Sequence, residues 1–287
     1  MARIERGNEW RRVAGLMLTM TTVVLVAAST STGAAPVPAE REARMPGVTA
    51  DYTVYIGGFK AAEGSINATL RGENYSMTSF LGVAGVPKNF LDAKWTMESA
   101  GRIDEARIQP QRFTFQSDEK GKIKHREMTY DGTDRPETTF DPPLPPHEDI
   151  SVLPYERQNT LDPISALLVP VAAGENPCNR RLAIFDGKRR YDIQLAFDSE
   201  GTVTTRNKGY SGMAIRCSVR MIPRSGMKQT SFTKMLQQRG NAHIWLAPMN
   251  DGNIYVPVRI QVRTPIGGAV MDVVSLRQYA TRTAAVR

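Results

Sequence analysis

The chain has 287 residues, a formal net charge of +8 and only two cysteines. This length is sufficient for one large β domain or two small domains. The charge is moderate, and no basic segment is interleaved with aromatic residues for base stacking, which argues against nucleic-acid binding. A mildly basic surface suits contact with anionic lipid or peptidoglycan, although a solvated charged face is the simpler explanation.

The N-terminus has the layout of a secretory signal peptide. Four arginines precede an apolar run at residues 13–28, and small residues follow it. Cleavage after Ala34 and cleavage after Ala39 both fit this pattern. An uncleaved membrane anchor is the alternative, but the apolar run is shorter than the ~20 residues that a membrane span needs. We therefore expect a signal peptide at residues 1–39, a linker at 40–48 and a periplasmic mature chain without a transmembrane span.

Turn signals recur about every ten residues through the rest of the chain and predict an antiparallel sheet. Between them, apolar and polar residues alternate with the period of half-buried strands. This spacing is typical of a meander and not of βαβ units. Turns are assigned to residues 101–104 and 131–132, among others. The predicted strands lie at residues 51–59, 63–71, 75–81, 90–99, 106–117, 122–130, 136–140, 181–185, 191–197, 213–221, 242–246, 256–262 and 269–279.

One helix is predicted at residues 162–169, where the sequence carries the signals that begin a helix. Asp162 suits the N-cap and Pro163 suits the first helical position, while Pro170 limits or kinks the helix. Its remaining residues are apolar on most sides, so we expect it to be buried. Residues 227–239 form either a loop or a second short helix.

The predicted fold class is therefore mainly β, with a large curved antiparallel sheet, a spiral or half-barrel, wrapped around one short buried helix. Residues 49–287 are expected to form a single β-rich domain. The proline-rich connection at 141–149 is interpreted as a stiff spacer, with a PxxP ligand motif as the alternative.

The two cysteines, Cys178 and Cys217, flank the most regular strand pattern in the chain. An Asp-Gly turn signal separates residues 181–185 from 191–197, and Cys217 belongs to the apolar face of the next strand, 213–221. A meander of three strands brings the two cysteines within the ~5.5 Å between Cα atoms that a disulfide needs. Two buried free thiols are the alternative.

The sequence offers no strong catalytic pattern. The three histidines, His125, His147 and His243, are not at metal-ligand spacing. Ser231 and Lys234 match SxxK, but the accompanying motifs of penicillin-binding enzymes are missing, and no helical, buried setting is expected there. We therefore predict no catalytic residues, no metal and no cofactor.

Several short motifs together carry a family resemblance. They lie at residues 52–64, 162–166, 178–191, 212–217, 244–246 and 256–260. These motifs resemble an exported proteobacterial family of unknown function, DUF3108. The similarity covers residues 50–280 and implies an all-β periplasmic protein without agreed catalytic residues. It also implies a fold-level likeness to curved sheets that wrap a helix, as in periplasmic lipoprotein carriers.

Two functions from different classes follow as hypotheses. The first is a non-enzymatic envelope protein that contributes to envelope integrity and binds a hydrophobic ligand, such as a lipid or lipoprotein, or an envelope protein partner. The second is a hydrolase acting on peptidoglycan or polysaccharide, for which no convergent polar cluster is visible. Methionines at 213, 221, 227 and 235 suggest an adaptable apolar surface or ordinary core. The candidate ligand-binding residues are Ile164, Leu167, Leu168, Met213 and Trp245.

Overall fold

The computed structural model describes residues 46–130, 135–145, 152–249 and 253–279. The predicted signal peptide at 1–39 and the predicted turn at 131–132 lie outside these ranges, as does part of the proline-rich connection. The first strand begins at Gly47, so the end of the predicted linker at 40–48 already belongs to the sheet.

The described residues are mainly β-strand. They contain one α-helix, α1 (Ser231–Leu236), and short 3₁₀ turns at Val86–Asn89, Pro154–Arg157, Ser165–Leu167 and Arg206–Lys208. The strands are β1 (Gly47–Ile56), β2 (Phe59–Arg71), β3 (Asn74–Val83), β4 (Ala93–Asp104), β5 (Arg107–Glu119), β6 (Lys122–Tyr130), β7 (Pro136–Asp141), β8 (Val169–Pro170), β9 (Arg180–Phe185), β10 (Arg190–Thr204), β11 (Ser211–Ser225), β12 (Ala242–Pro248), β13 (Ile254–Thr264) and β14 (Gly267–Tyr279).

All these strands belong to one antiparallel sheet built from two meanders. The order is β7-β6-β5-β4-β3-β2-β1-β14-β13-β12-β11-β10-β9, and β8 pairs with β13. The first strand therefore pairs with the last one, which joins the two meanders. Within the described ranges the two ends of the path, β7 and β9, are not hydrogen-bonded to each other. The sheet is thus an open, curved one, and the predicted mainly β fold class is confirmed.

The two ends of the sheet nevertheless approach each other at the β9–β10 turn. Gly187 in this turn has a φ of 88°, a left-handed conformation that favours glycine. A Cβ atom there would lie 2.6 Å from Cδ of Arg126 on β6 and 3.1 Å from Cγ2 of Thr138 on β7. The turn therefore packs directly against the opposite edge of the sheet, and the space between the two meanders becomes partly enclosed.

The helix predicted at 162–169 is wrong. Only Ser165–Leu167 forms a 3₁₀ turn, and Val169–Pro170 is already extended as β8. The proposed cap is present, because Oδ1 of Asp162 accepts the backbone N–H groups of Ile164 and Ser165. The helix does not continue because Pro170 disfavours the helical conformation of Val169, and these two residues pair instead with β13.

This segment, not a helix, fills part of the interior of the sheet. Ile164 and Leu168 belong to the main core, which also contains the fully buried Phe113 and Met128. Val169 packs in a second, smaller core. The expectation that the segment is buried is therefore correct, although its conformation is not the predicted one.

The turn assigned to residues 101–104 is also wrong. Gly101 lies within β4, at a shift of register against β5, and the chain turns later, at Glu105 and Ala106, which both have positive φ. A Cβ atom on Gly101 would lie 2.2 Å from the carbonyl oxygen of Gln109. Glycine is needed at this position for a close backbone approach at a bulge, and not for a turn.

The disulfide between Cys178 and Cys217 is present, with 5.3 Å between the Cα atoms and 39 residues of sequence separation. Both cysteines are fully buried in the second core. The bridge attaches the segment that follows β8 to the middle of β11. The bridge therefore fixes this segment covalently against the sheet. Without the bridge, only packing would hold the segment in place.

Candidate functional site

A cavity of about 690 Å³ lies between the two meanders, inside the curved sheet. This volume falls within the range of ~300–1,000 Å³ that is typical of small-molecule sites. One wall comes from β4 to β7. The opposite wall comes from β10, β11 and α1, and the segment 142–145 lies at the edge.

Strand register explains how distant residues share the first wall. Met97 on β4, Phe115 on β5, Arg126 on β6 and Phe140 on β7 are successive cross-strand partners. Residues paired in this way project from the same face of a sheet. All four line the cavity, so a cationic side chain stands between two aromatic ones.

Buried apolar side chains form the floor of the cavity. Trp95 and Met97 of β4 are buried, as are Met221 of β11 and Phe232 of α1. The helix that positions Phe232 begins at a capping box, in which the Thr230 hydroxyl accepts the N–H of Thr233. This cap satisfies a free donor of the first turn, so a helix of six residues can hold an aromatic ring against the sheet.

The charged residues around the cavity are predominantly positive. Among the described residues, four cationic side chains and two carboxylates line it, which leaves an excess of two positive charges without His125. One of the carboxylates, Asp186, accepts the backbone N–H groups of Lys188 and Arg189 and thereby stabilises the β9–β10 turn. The charged lining residues are Glu119, Lys124, Arg126, Asp186, Lys188 and Arg189.

Arg126 is a largely buried cation, with only 12% of its side chain exposed. Its guanidinium stacks on Phe115, 4.5 Å from the ring centroid. Among the described residues, the nearest carboxylate oxygen belongs to Asp186 and lies 3.9 Å from Nη1, which is too far for a hydrogen bond. Burial lowers the pKa of the guanidinium, and the carboxylate of Asp186 opposes this effect. Among the described residues, no carboxylate therefore neutralises the guanidinium charge through a direct hydrogen bond.

None of the five candidate ligand-binding residues lines this cavity. Ile164 and Leu168 are core residues, and Leu167 borders only a void of about 10 Å³. Trp245 packs between the guanidinium groups of Arg216 and Arg259.

Met213, which shares the apolar face of the predicted strand 213–221 with Cys217, is 49% exposed. It lies opposite Thr202 near the end of the β10–β11 hairpin, where both residues are exposed. Two other methionines of the predicted apolar surface, Met221 and Met227, do line the cavity.

The SxxK match lies on the surface. Of the two alternatives for residues 227–239, the short helix is the one present, since α1 begins at Ser231, so this match does have the helical setting that was not expected there. Both Ser231 and Lys234 are exposed, so the two side chains lack the enclosed setting that activates a serine nucleophile.

In the parts of the chain that the structure describes, no three His, Cys, Asp or Glu side chains group as a metal ion would require. No helix in those parts has the length and apolar character to cross a membrane. His243 is partly buried, which lowers its pKa, and His147 lies outside the described residues.

The fold and cavity define a mainly β protein with a partly enclosed, partly cationic interior. Residues 51–274 match the model of the family described as protein of unknown function (DUF3108). The chain therefore belongs to this family, as its motifs indicated.

Solved structures that are similar include a β-barrel-like protein of domain of unknown function DUF1849 from Brucella abortus. Its TM-score is 0.48 at 11% sequence identity, and the alignment covers 83% of this chain and all of that one. No curated protein matches the sequence.

Proposed function

We propose that the mature chain is an exported, non-enzymatic protein of the cell envelope that binds a hydrophobic ligand inside its curved sheet. The observation that carries this proposal is the cavity of about 690 Å³ with a buried apolar floor. A concave site of this size with apolar side chains in its lining is the usual setting for a small ligand. We propose that the protein contributes to envelope integrity by carrying or sensing a lipid or lipoprotein.

Export to the periplasm is part of the same proposal. The signal-peptide pattern at 1–39 supports it. A buried disulfide supports it independently, because disulfides persist in oxidising compartments such as the periplasm.

The hydrolase hypothesis receives less support from the cavity. A glycosidase needs two carboxylates that are free to act as acid and base or nucleophile. Of the two carboxylates in the lining, Asp186 is engaged by two backbone N–H groups of its own turn. We therefore retain the non-enzymatic proposal.

Mass spectrometry of lipid extracts from natively purified mature protein tests the proposal. We expect a reproducible co-purifying amphiphile. Leu236→Trp, which adds bulk to the cavity lining, should reduce the amount recovered several-fold. Leu153→Trp is the matched control, because Leu153 is 52% exposed and outside the lining.

Two outcomes would contradict the proposal. One is a protein that carries no amphiphile and takes up none when incubated with envelope lipid extract. The other is an amphiphile that is recovered equally from the Leu236→Trp variant and from the wild type, because its binding would then not depend on the cavity.

A further inference from the structure

The cavity combines two kinds of surface that a purely apolar ligand would not use together. Its floor is apolar and buried at Trp95, Met221 and Phe232. Its wall carries Arg126 and, nearer solvent, the exposed Lys124 two residues earlier on β6. Alternate residues of a strand share one face, so both cations project from the cavity face of β6.

Arg126 has unused hydrogen-bonding capacity at this position. Its buried Nε finds no hydrogen-bond partner among the described residues. A buried cation and a buried donor without a partner both cost free energy. The Asp186 carboxylate does not offset that cost by a direct hydrogen bond, since it lies 3.9 Å from the guanidinium.

The surroundings of Arg126 keep the guanidinium in place. Phe115 lies beneath it, and Gly187 approaches its aliphatic stem so closely that a Cβ atom would collide with Cδ. Lys188, from the same turn, places its ammonium 5.5 Å from the ring centroid of Phe140, the cross-strand partner of Arg126. A planar guanidinium fixed in this way suits an oxyanion such as a phosphate or carboxylate.

We propose that the cavity selects an amphiphile with an anionic head group, whose head lies at Arg126 and whose chain covers the apolar floor. This inference rests on the proposed function and adds the chemical class of the ligand. The excess of two positive charges among the described lining residues supports it through charge complementarity.

Calorimetric titration with three single-chain amphiphiles of equal length tests the inference. The probes are dodecyl phosphate, dodecyl maltoside and dodecyltrimethylammonium, each below its critical micelle concentration, and inorganic phosphate is titrated separately. We expect dodecyl phosphate to bind at least about tenfold more tightly than the neutral and cationic probes, the scale of a hydrogen bond to a charged group. Inorganic phosphate alone should bind far more weakly, because it leaves the apolar floor uncovered.

Substitution of the cation provides the second arm. Arg126→Gln should weaken dodecyl phosphate binding about tenfold and change dodecyl maltoside binding less than twofold. Arg112→Gln is the matched control, since Arg112 lies on neighbouring β5, is exposed and pairs with Glu127 outside the cavity. It removes the same charge and should leave both affinities unchanged.

The fluorescence of Trp95 shows whether the amphiphile enters the cavity. Trp95 lines the cavity and Trp245 does not, so Trp95→Phe should abolish the fluorescence change on binding. Thermal unfolding of Arg126→Gln verifies that the variant is folded. The comparison of head groups on the wild-type protein decides the question even if this variant is unstable.

Different failures have different meanings. Equal affinity for the three head groups would overturn the anionic selectivity and leave the proposed function standing. Binding of none of the three probes would overturn both. Binding of inorganic phosphate as tightly as dodecyl phosphate would also overturn the inference, because the alkyl chain would then contribute nothing.

Discussion

At the scale of single residues, Asp162 shows how much a buried polar group depends on its partners. Its carboxylate is fully buried, with Oδ1 bound to two backbone N–H groups and Oδ2 accepting the Ser99 hydroxyl at 2.7 Å. The Tyr75 hydroxyl lies 3.2 Å from the same serine oxygen. These bonds connect the interior segment to β3 and β4, the strands that carry Tyr75 and Ser99.

Burial raises the pKa of the Asp162 carboxyl above its ordinary value of 3.8, although its hydrogen bonds partly oppose this effect. A carboxyl with a raised pKa in the folded state binds protons more readily there than in the unfolded chain. Its contribution to stability is therefore fully present below pH 3.8 and is lost as the pH rises through the folded-state value. The affected window begins at about pH 4 and extends upward.

We predict that Asp162→Asn removes this pH dependence, because an amide does not titrate and keeps an oxygen for the two N–H groups. Urea unfolding at pH 7, 5.5 and 4.5 measures the effect. The free energy of unfolding of the wild type, relative to the variant, should increase as the pH falls. A difference that stays constant or shrinks on acidification would contradict the prediction.

The residue scale also shows a limit of sequence reasoning. The N-cap role of Asp162 was predictable because side chain and backbone interact within three residues. The role of Gly101 was not, since it depends on Gln109 in the neighbouring strand. A local sequence pattern cannot distinguish a glycine that allows the chain to turn from a glycine that allows the backbone of a neighbouring strand to approach closely.

At the scale of elements, the strands were largely predictable and the conformation of the interior segment at 162–169 was not. Alternation of apolar and polar residues reflects a sheet with one covered face, so the signal is local and strong. The interior segment at 162–169 is apolar on most sides, which suits a buried helix and a buried extended chain equally. Pairing of β8 with β13 decides its conformation, and that contact joins residues far apart in sequence.

The disulfide stabilises this arrangement of elements. In the chain-entropy model, a crosslink over 39 residues stabilises by about 4 kcal/mol. We predict that Cys217→Ser lowers the thermal midpoint by about 5–15 °C. In reducing agent, the thermal midpoint of the wild-type protein should approach that of the variant, because both proteins then lack the crosslink.

Thiol titration of the denatured protein provides the control for this prediction. The wild type should show no free thiol before reduction and two afterwards. Equal counts before and after reduction, or an unchanged midpoint in Cys217→Ser, would contradict a stabilising bridge.

At the scale of the whole molecule, the cavity arises from the curvature of the sheet. Its lining runs from Trp95 to Val262, and the β9–β10 turn reaches β6 and β7 only because the open sheet curves around. No stretch of sequence contains this site. One local signal for the site was present in β6. Arg126 lies two residues before the buried Met128 and therefore on the same inward face of the strand, which is an unusual place for an arginine.

A crystal structure with bound 12-bromododecyl phosphate tests the central claim most directly, because anomalous scattering locates the bromine. Our account predicts the phosphate within hydrogen-bond distance of Arg126 and the bromine against the floor formed by Trp95, Met221 and Phe232. Bromine on the outer face of the sheet, or an empty cavity at saturating ligand, would contradict the claim that the curved sheet encloses a site for an amphiphile.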